Sequence, residues 1–284
     1  MQIFKKKEAL VASLSVLKKE NKQIGFVPTM GALHQGHLSL LEESRKDNHI
    51  SIVTIFVNPT QFNKAEDLEK YPKTIENDLA MLSNMSCDIV FIPSVDDIYS
   101  DAICSKHYSF GGIENQMEGK YRTGHFDGVA TIIQLFFEII QPNRAYFGEK
   151  DYQQLQVVTK LSQQENLGVE IIGCPIHREK DGLAMSSRNA RLTVHQRAAA
   201  PLIHQTLKRV CDRVKTDEIS DIYNFVKTEF NRNDLLRLEY FTIANQTTLQ
   251  EVSRFKKGEN FRAFIAVNAG NVRLIDNISL PVFR

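Results

Sequence analysis

Apolar positions along the chain fall into two kinds of run. Leu10, Val11, Leu14 and Leu17 recur at helical spacing, which predicts an amphipathic helix over residues 8–20. Residues 24–27 form a short apolar run followed by Pro28, which predicts a strand ended by a turn. Residues 50–57 read ISIVTIFV. A run that is apolar on both faces and rich in β-branched side chains suits a parallel strand covered on both sides. Further strands are predicted at 87–92, 144–147 and 169–173. Further helices are predicted at 38–43, 74–82, 127–140 (stopped by Pro142) and 152–164. Strands alternating with helices imply a parallel sheet with right-handed crossovers, in which ligands bind beyond the carboxyl ends of the strands.

The pattern changes near residue 176. A polar stretch, HREKDGLAMSSRNARLT, leads into a predicted helix over 195–215 and a second over 219–230. Strands are then expected at 238–244, 262–268 and 272–276. Helices followed by a cluster of strands specify a small α+β unit. The expected fold is therefore α/β: a Rossmann-like parallel-sheet N-terminal domain over residues 1–175 and a smaller α+β C-terminal domain over 176–284. The sequence contains no internal repeat and no low-complexity segment.

Composition narrows the classes of function. With 42% hydrophobic and 24% charged residues the chain is an ordinary globular one, and its net charge of +1 gives no reason to expect nucleic acid or an anionic membrane as partner. The Lys5-Lys6-Lys7 cluster reads as a solvated helix face. Cys87, Cys104, Cys174 and Cys211 are too widely spaced for a disulfide framework or a zinc site. The first twenty residues lack the uninterrupted apolar core of a secretory signal, and no apolar stretch is of membrane-spanning length. A cytoplasmic location is expected.

Four segments carry candidate chemistry. The first, PTMGALHQGH at 28–37, follows a buried strand and opens a helix. Gly31 and Gly36 allow close backbone approach, and the new helix offers N–H groups suited to phosphate. His34 and His37, three apart, are expected on one face of the first helical turn, where two imidazoles can stabilise charge building on phosphate oxygens. A bare H-x-G-H also suits a structural turn. Its place after a strand and a glycine turn favours a ligand site, and this is the signature of the nucleotidyltransferase superfamily. The second segment, AMSSRN at 184–189, joins the hydroxyls of Ser186 and Ser187 to the fixed cation of Arg188, a clamp for triphosphate. Its other reading is a helix N-cap. In the third, FGEKDYQQ at 147–154, Lys150 can neutralise a phosphate or carboxylate. Asp151 can cap the helix or bind the nucleoside, and Gln154 is expected to face the way Lys150 does. The fourth is VNPTQF at 57–62, where Asn58 and Gln61 offer neutral amides suited to a hydroxy acid, and where an Asn-Pro turn would also form.

Together these segments resemble the pantothenate synthetase family. The resemblance rests on PTMGALHQGH, FVNPTQF at 56–62, YPKT at 71–74, RTGHFDGV at 122–129, FGEKDYQQL at 147–155 and DGLAMSSRN at 181–189. It spans the N-terminal two-thirds in order, and the last hundred residues match in general pattern only. The MSSRN stretch stands where aminoacyl-tRNA synthetases carry a lysine-containing loop. The resemblance implies a two-step ligase using ATP and Mg2+. Pantoate attacks the α-phosphorus, giving pantoyl adenylate and pyrophosphate, and β-alanine then takes the acyl group, giving pantothenate and AMP. It also implies catalytic roles for His34, His37, Lys150, Ser186, Ser187 and Arg188. The ATP site would comprise Met30, Gly31, Ala32, Leu33, His34, Gln35, Gly36, His37, Gly148, Glu149, Lys150, Asp151, His177, Met185, Ser186, Ser187 and Arg188. Pantoate would meet Asn58, Gln61 and Gln154, with Gln61 also near β-alanine. The resemblance further implies a homodimer and a C-terminal domain that closes the active site. It assigns no magnesium ligand: Asn77 and Asp78 stand where the acidic pattern thins. His177 replaces the family's usual apolar residue, so only a backbone contact carries over there. Arg122 matches the family position.

Rival readings are an adenylyltransferase acting on a phosphorylated acceptor, a nucleotide-binding regulatory module, and a tRNA ligase. The first would want extra cations where Asn58, Gln61 and Gln154 are neutral. The second has no need of both histidines together with the lysine and the serine/arginine loop. The third would carry an anticodon-binding extension.

Overall fold

Strand formation follows the apolar runs. In the computed structural model, β1 (Gln2–Phe4), β2 (Ile24–Thr29), β3 (Ile50–Ile55), β4 (Ile89–Phe91), β5 (Arg144–Gly148) and β6 (Glu170–Cys174) form one sheet in the order β1-β4-β3-β2-β5-β6. Every pairing in it is parallel. The structure describes residues 1–62, 68–69, 71–99 and 102–281. It divides into two compact units: Met1–Glu149 with Gln153–Pro175, and Lys150–Tyr152 with Ile176–Arg284.

In the first unit, successive residues of a strand serve opposite faces of the sheet. Helix α1 (Lys7–Lys19) follows β1, and Val27, Val53 and Val90 pack with Leu38 and Leu41 of helix α2 (Gln35–Asp47) and with Leu82 of α3 (Ile75–Asn84). On the other face Phe26, Phe56 and Phe91 meet Phe136 edge-on at 5.8–6.3 Å. Phe136 belongs to the helix His125–Ile140, which ends where Gln141 takes a left-handed conformation ahead of Pro142. The strand order reverses direction at β2, with β3 on one side and β5 on the other. This is a topological switch point of the kind where α/β proteins take ligands. The loop after β2 begins at Met30, and the one after β5 begins at Glu149.

The second unit pairs β7 (Arg237–Asn245), β8 (Phe261–Ala269) and β9 (Val272–Ser279) in an antiparallel sheet of order β7-β8-β9. Helices Leu202–Arg213 and Ile219–Asn231 cover one face. Ile203, Leu207, Val210, Ile222, Val226 and Phe230 pack there with Ala263, Ile265 and Val267.

Three expectations need correction. Pro28 does not end the strand: β2 runs on to Thr29. Beyond Phe26 the strand no longer pairs with β5, so a residue without an N–H is tolerated there. The single helix expected over 195–215 is two, Val194–Ala199 and Leu202–Arg213, broken at Ala200–Pro201 because proline removes a helical hydrogen bond and crowds the preceding turn. Strand β1 and the short helices Val95–Ile98 and Met117–Tyr121 were not foreseen, being too short to carry a period. No helix among the described residues is long and apolar enough to cross a membrane.

Candidate active site

The turn after β2 is held by its own geometry and by one distant carboxylate. Gly31 and Ala32 have φ of 80° and 49°. A Cβ on Gly31 would stand 3.1 Å from both Asp78 Oδ2 and Ile55 Cγ2, so the left-handed turn and its close neighbours both require glycine. Asp78, fully buried in α3, accepts the N–H of Ala32 at 2.9 Å and of Leu33 at 2.8 Å, and the hydroxyl of Thr74 at 3.0 Å. Sequence reading gave Asp78 no role. Its signal was its spacing: four before Leu82, it lies on the buried face of the helix, where a carboxylate must be hydrogen-bonded.

His34 is the N-cap of α2 rather than a residue of its first turn, and His37 is the third helical residue. The His34 Nδ1 accepts the Gly36 N–H at 3.1 Å, and the His37 Nδ1 accepts the His34 N–H at 3.3 Å. The rings stack with centroids 4.0 Å apart. Because each Nδ1 is an acceptor, the neutral rings carry their proton on Nε2. An N–H donor on each ring, added to the positive end of the helix dipole, suits an anion with developing charge. Gln35 is exposed and Gly36 half-buried at the same helix start.

The loop after β3 is built around Asn58. Its buried amide donates to Gln61 Oε1 at 3.2 Å and to the Gly128 carbonyl at 3.1 Å, and it accepts from Tyr99 at 2.7 Å and Thr60 at 3.2 Å. Those four bonds saturate an amide. Asn58, expected at the substrate, holds Gln61 in this structure. Gln61 also donates to Met30 Sδ at 3.0 Å, linking this loop to the one after β2. The RTGHFDGV segment now has a structural account: His125 Nδ1 and an Arg122 guanidinium nitrogen lie 3.0 and 3.5 Å from the Gln61 carbonyl. A Cβ on Gly128 would come within 2.5 Å of the Thr60 carbonyl oxygen. Of the two adjacent glutamines after β5, Gln153 is buried and bonds Ile113, Gln116 and Glu118 of the main chain. Gln154 is half-buried, with no hydrogen-bond partner for its amide among the described residues.

Lys150 lies in a 3-10 turn, Glu149–Asp151, not in the following helix. It belongs with the second unit, and its side chain is 19% exposed, 3.5 Å from the carboxylate of exposed Asp151. At the start of that turn, a Cβ on Gly148 would meet no heavy atom of the described residues within 4 Å beyond its two chain neighbours. In the second unit the His177 carbonyl accepts the Met185 N–H at 3.0 Å, and Arg178 bridges to Ala184. This short ladder presents Ser186, which caps the turn Ser187–Arg191 by accepting the Arg188 N–H at 3.2 Å. Met185, Ser186, Ser187 and Arg188 are all half-buried. The cysteines stand outside this chemistry: burial pushes the Cys87 thiol up to about 12 and the Cys174 thiol up to about 11.

A parallel sheet with a glycine turn and a histidine-capped helix at its switch point defines a Rossmann-like α/β protein whose α2 start has the donor chemistry suited to an anion. The model of the family "Pantoate-beta-alanine ligase" matches residues 2–279. The pantothenate synthetase of Christiangramia forsetii is 47% identical over 281 residues, covering 99% of this chain and 99% of that protein. That of Flavobacterium psychrophilum is 48% identical over 281 residues, covering 99% and 100%. The crystal structure of pantothenate synthetase from Thermus thermophilus superposes with a TM-score of 0.92 at 36% identity, covering 99% of this chain and 100% of that one. A pantoate-beta-alanine ligase from Francisella tularensis, complexed with beta-gamma ATP and beta-alanine, gives 0.80 at 34% identity, covering 98% and 97%. The chain belongs to the pantoate-beta-alanine ligase family. The activity that goes with membership is ATP-dependent ligation of an acid to an amino acid, pantoate to β-alanine, by way of an acyl adenylate.

Proposed function

We propose that this chain performs the ligation with the two histidines of α2 facing the phosphates of ATP. The carrying observation is the pair of Nδ1 acceptors, which puts the proton of each neutral ring on Nε2. A carboxylate oxygen of pantoate attacks the α-phosphorus, and the bond to the bridging oxygen breaks to release pyrophosphate. Negative charge grows on the α-phosphate and on the leaving oxygen, and phosphoryl transfer is governed by positioning and neutralising that charge. His34 and His37 meet it, with His37 as proton donor. Lys150, Ser186, Ser187 and Arg188 hold the rest of the triphosphate. The Met30–Gly36 turn, Gly148, Glu149, Asp151, Met185 and the backbone of His177 line the nucleotide site. Gln61 and Gln154 bind pantoate, and Asn58 fixes Gln61. The amine of β-alanine then attacks the acyl carbon, the C–O bond to AMP breaks, and the amine proton is lost.

Magnesium fits this site as an ion carried by ATP. Among the described residues no group of three His, Cys, Asp or Glu side chains could hold a metal. Mg2+ commonly binds through phosphates and water rather than an all-protein cage. When bound it neutralises phosphate charge, and no side chain of this chain is assigned to it. We further propose a homodimer located in the cytoplasm, with residues 1–175 supplying the pantoate site and most of the nucleotide site.

Pantoate-dependent exchange of labelled pyrophosphate into ATP, without β-alanine, tests the reading. Exchange that needs pantoate and falls at least about a hundredfold in His37→Asn, on the scale of general acid catalysis, supports it. Undiminished exchange in His37→Asn would sink the histidine assignment.

A further inference from the structure

We propose that Asn277, on β9, is a positioning residue for Lys150, holding the lysine's main chain where its ammonium can meet the phosphates. The proposal rests on the reading above that Lys150 binds the triphosphate.

Asn277 is 2% exposed, and both ends of its amide are engaged. Its Nδ2 donates to the Lys150 carbonyl at 2.9 Å, and its Oδ1 accepts from the Arg262 guanidinium. The cation on one side and the carbonyl on the other dictate the amide's orientation. Neither aspartate nor an apolar residue can serve both partners. The surroundings make this contact firm. Phe264 stands directly opposite Asn277 in the β8–β9 register, and Arg262 lies two residues along the same face. Both reach the segment that carries Lys150: the Arg262 guanidinium lies 3.9 Å over the Tyr152 ring, and the Phe264 ring is 6.0 Å from it. The Tyr152 hydroxyl is bonded to the Gln246 carbonyl at 3.4 Å. Lys150 therefore sits on a three-residue segment fastened at Asn277 and Arg262 of the sheet and at Gln246, just past the end of β7.

The neighbouring residue extends the device. Asp276 points to the opposite face of β9 and accepts both terminal nitrogens of Arg178, at 2.6 and 2.9 Å. Arg178 also reaches the Gly182 carbonyl at 3.1 Å and forms the bridge with Ala184 that leads into Ser186. Two successive residues of one strand thus order the Lys150 turn and the ladder that presents Ser186, Ser187 and Arg188. Buried amides and ion pairs add little net stability over apolar packing of the same shape, so their presence here fits a need for position. Sequence patterning places 272–276 in a strand and gives neither Asp276 nor Asn277 a role in the site.

Asn277→Asp tests the proposal, because it keeps an acceptor for Arg262 while turning an oxygen against the Lys150 carbonyl. The measured quantity is pantoate-dependent pyrophosphate release, in the wild-type and in the Lys150→Ala background, alongside thermal melting. The expected result is an unchanged melting temperature, release slowed roughly tenfold to a hundredfold, an unchanged KM for β-alanine, and no further loss when Asn277→Asp is added to Lys150→Ala. Should Asn277→Asp fail to fold, Asn277→Ser is read in the same cycle with the same expectation. Wild-type release in the Asn277 variant, or an equal fold-loss in both backgrounds, overturns the proposal. Wild-type release in Lys150→Ala alone also overturns it, and then the fault lies in the reading of Lys150 rather than in the role of Asn277.

Discussion

Two glycines show how differently one residue type can be required. Gly128 lets its helix touch the 59–61 turn: a Cβ there would lie 2.5 Å from the Thr60 oxygen and 2.8 Å from the Gln61 Cα, both main-chain atoms that cannot swing aside. Gly128→Ala is expected to lower stability by about 1–3 kcal/mol, as overpacking does, and to raise the KM for pantoate by displacing Gln61. Among the described residues, its two chain neighbours aside, Gly148 has no heavy atom within 4 Å of its missing Cβ, so packing does not explain it. Gly148→Ala is expected to melt as the wild type does and to raise the KM for ATP. Melting curves and substrate titrations on the two variants separate the cases, and an unaltered KM for ATP in Gly148→Ala would remove Gly148 from the nucleotide site. The motif containing Gly128 was legible in the sequence, but its reason was not, because the clash it avoids involves residues about seventy positions away.

Elements were legible where they were long and periodic. The β3 run and the helices that became α2, α3 and His125–Ile140 announced themselves by apolar spacing, and the β2–α2 junction by its glycines and histidines. What the period could not carry were contacts made by lone polar side chains across the fold: Asp78 to the turn at Ala32–Leu33, His125 to the Gln61 carbonyl, Asn277 to Lys150. Each joins a side chain to main chain at a separation with no sequence signature. The helix Leu202–Arg213 offers a pH test of one such cluster. Burial, and next the Arg178 charge, hold the His204 imidazole below the usual 6.5, with Asp276 opposing and Lys208 adding to the effect. A histidine whose folded pKa is depressed is protonated more readily in the unfolded chain, so stability falls as pH drops below about 6.5 and stops falling below the folded pKa. His204→Gln should therefore lose less melting temperature than the wild type between about pH 7 and pH 5. Equal losses would show that His204 titrates in the fold as it does in the unfolded chain.

At the scale of the whole molecule, a parallel sheet and a small antiparallel sheet each keep their own core, and the residues proposed for catalysis are drawn from both units. In the sequence, the alternation of strands and helices ends near residue 176. The membership of Lys150–Tyr152 in the second unit was not visible, since it depends on Arg262, Gln246 and Asn277, more than ninety residues downstream. Two-step ligation through an adenylate is tested by following both leaving groups at once. Protein, ATP, Mg2+ and pantoate are mixed with and without β-alanine, and pyrophosphate and AMP are quantified over time. About one equivalent of pyrophosphate per active site is expected with pantoate alone, and steady release of AMP and pantothenate once β-alanine is added. Pyrophosphate release that ignores pantoate, or AMP release that needs no β-alanine and keeps pace with pyrophosphate, would contradict it.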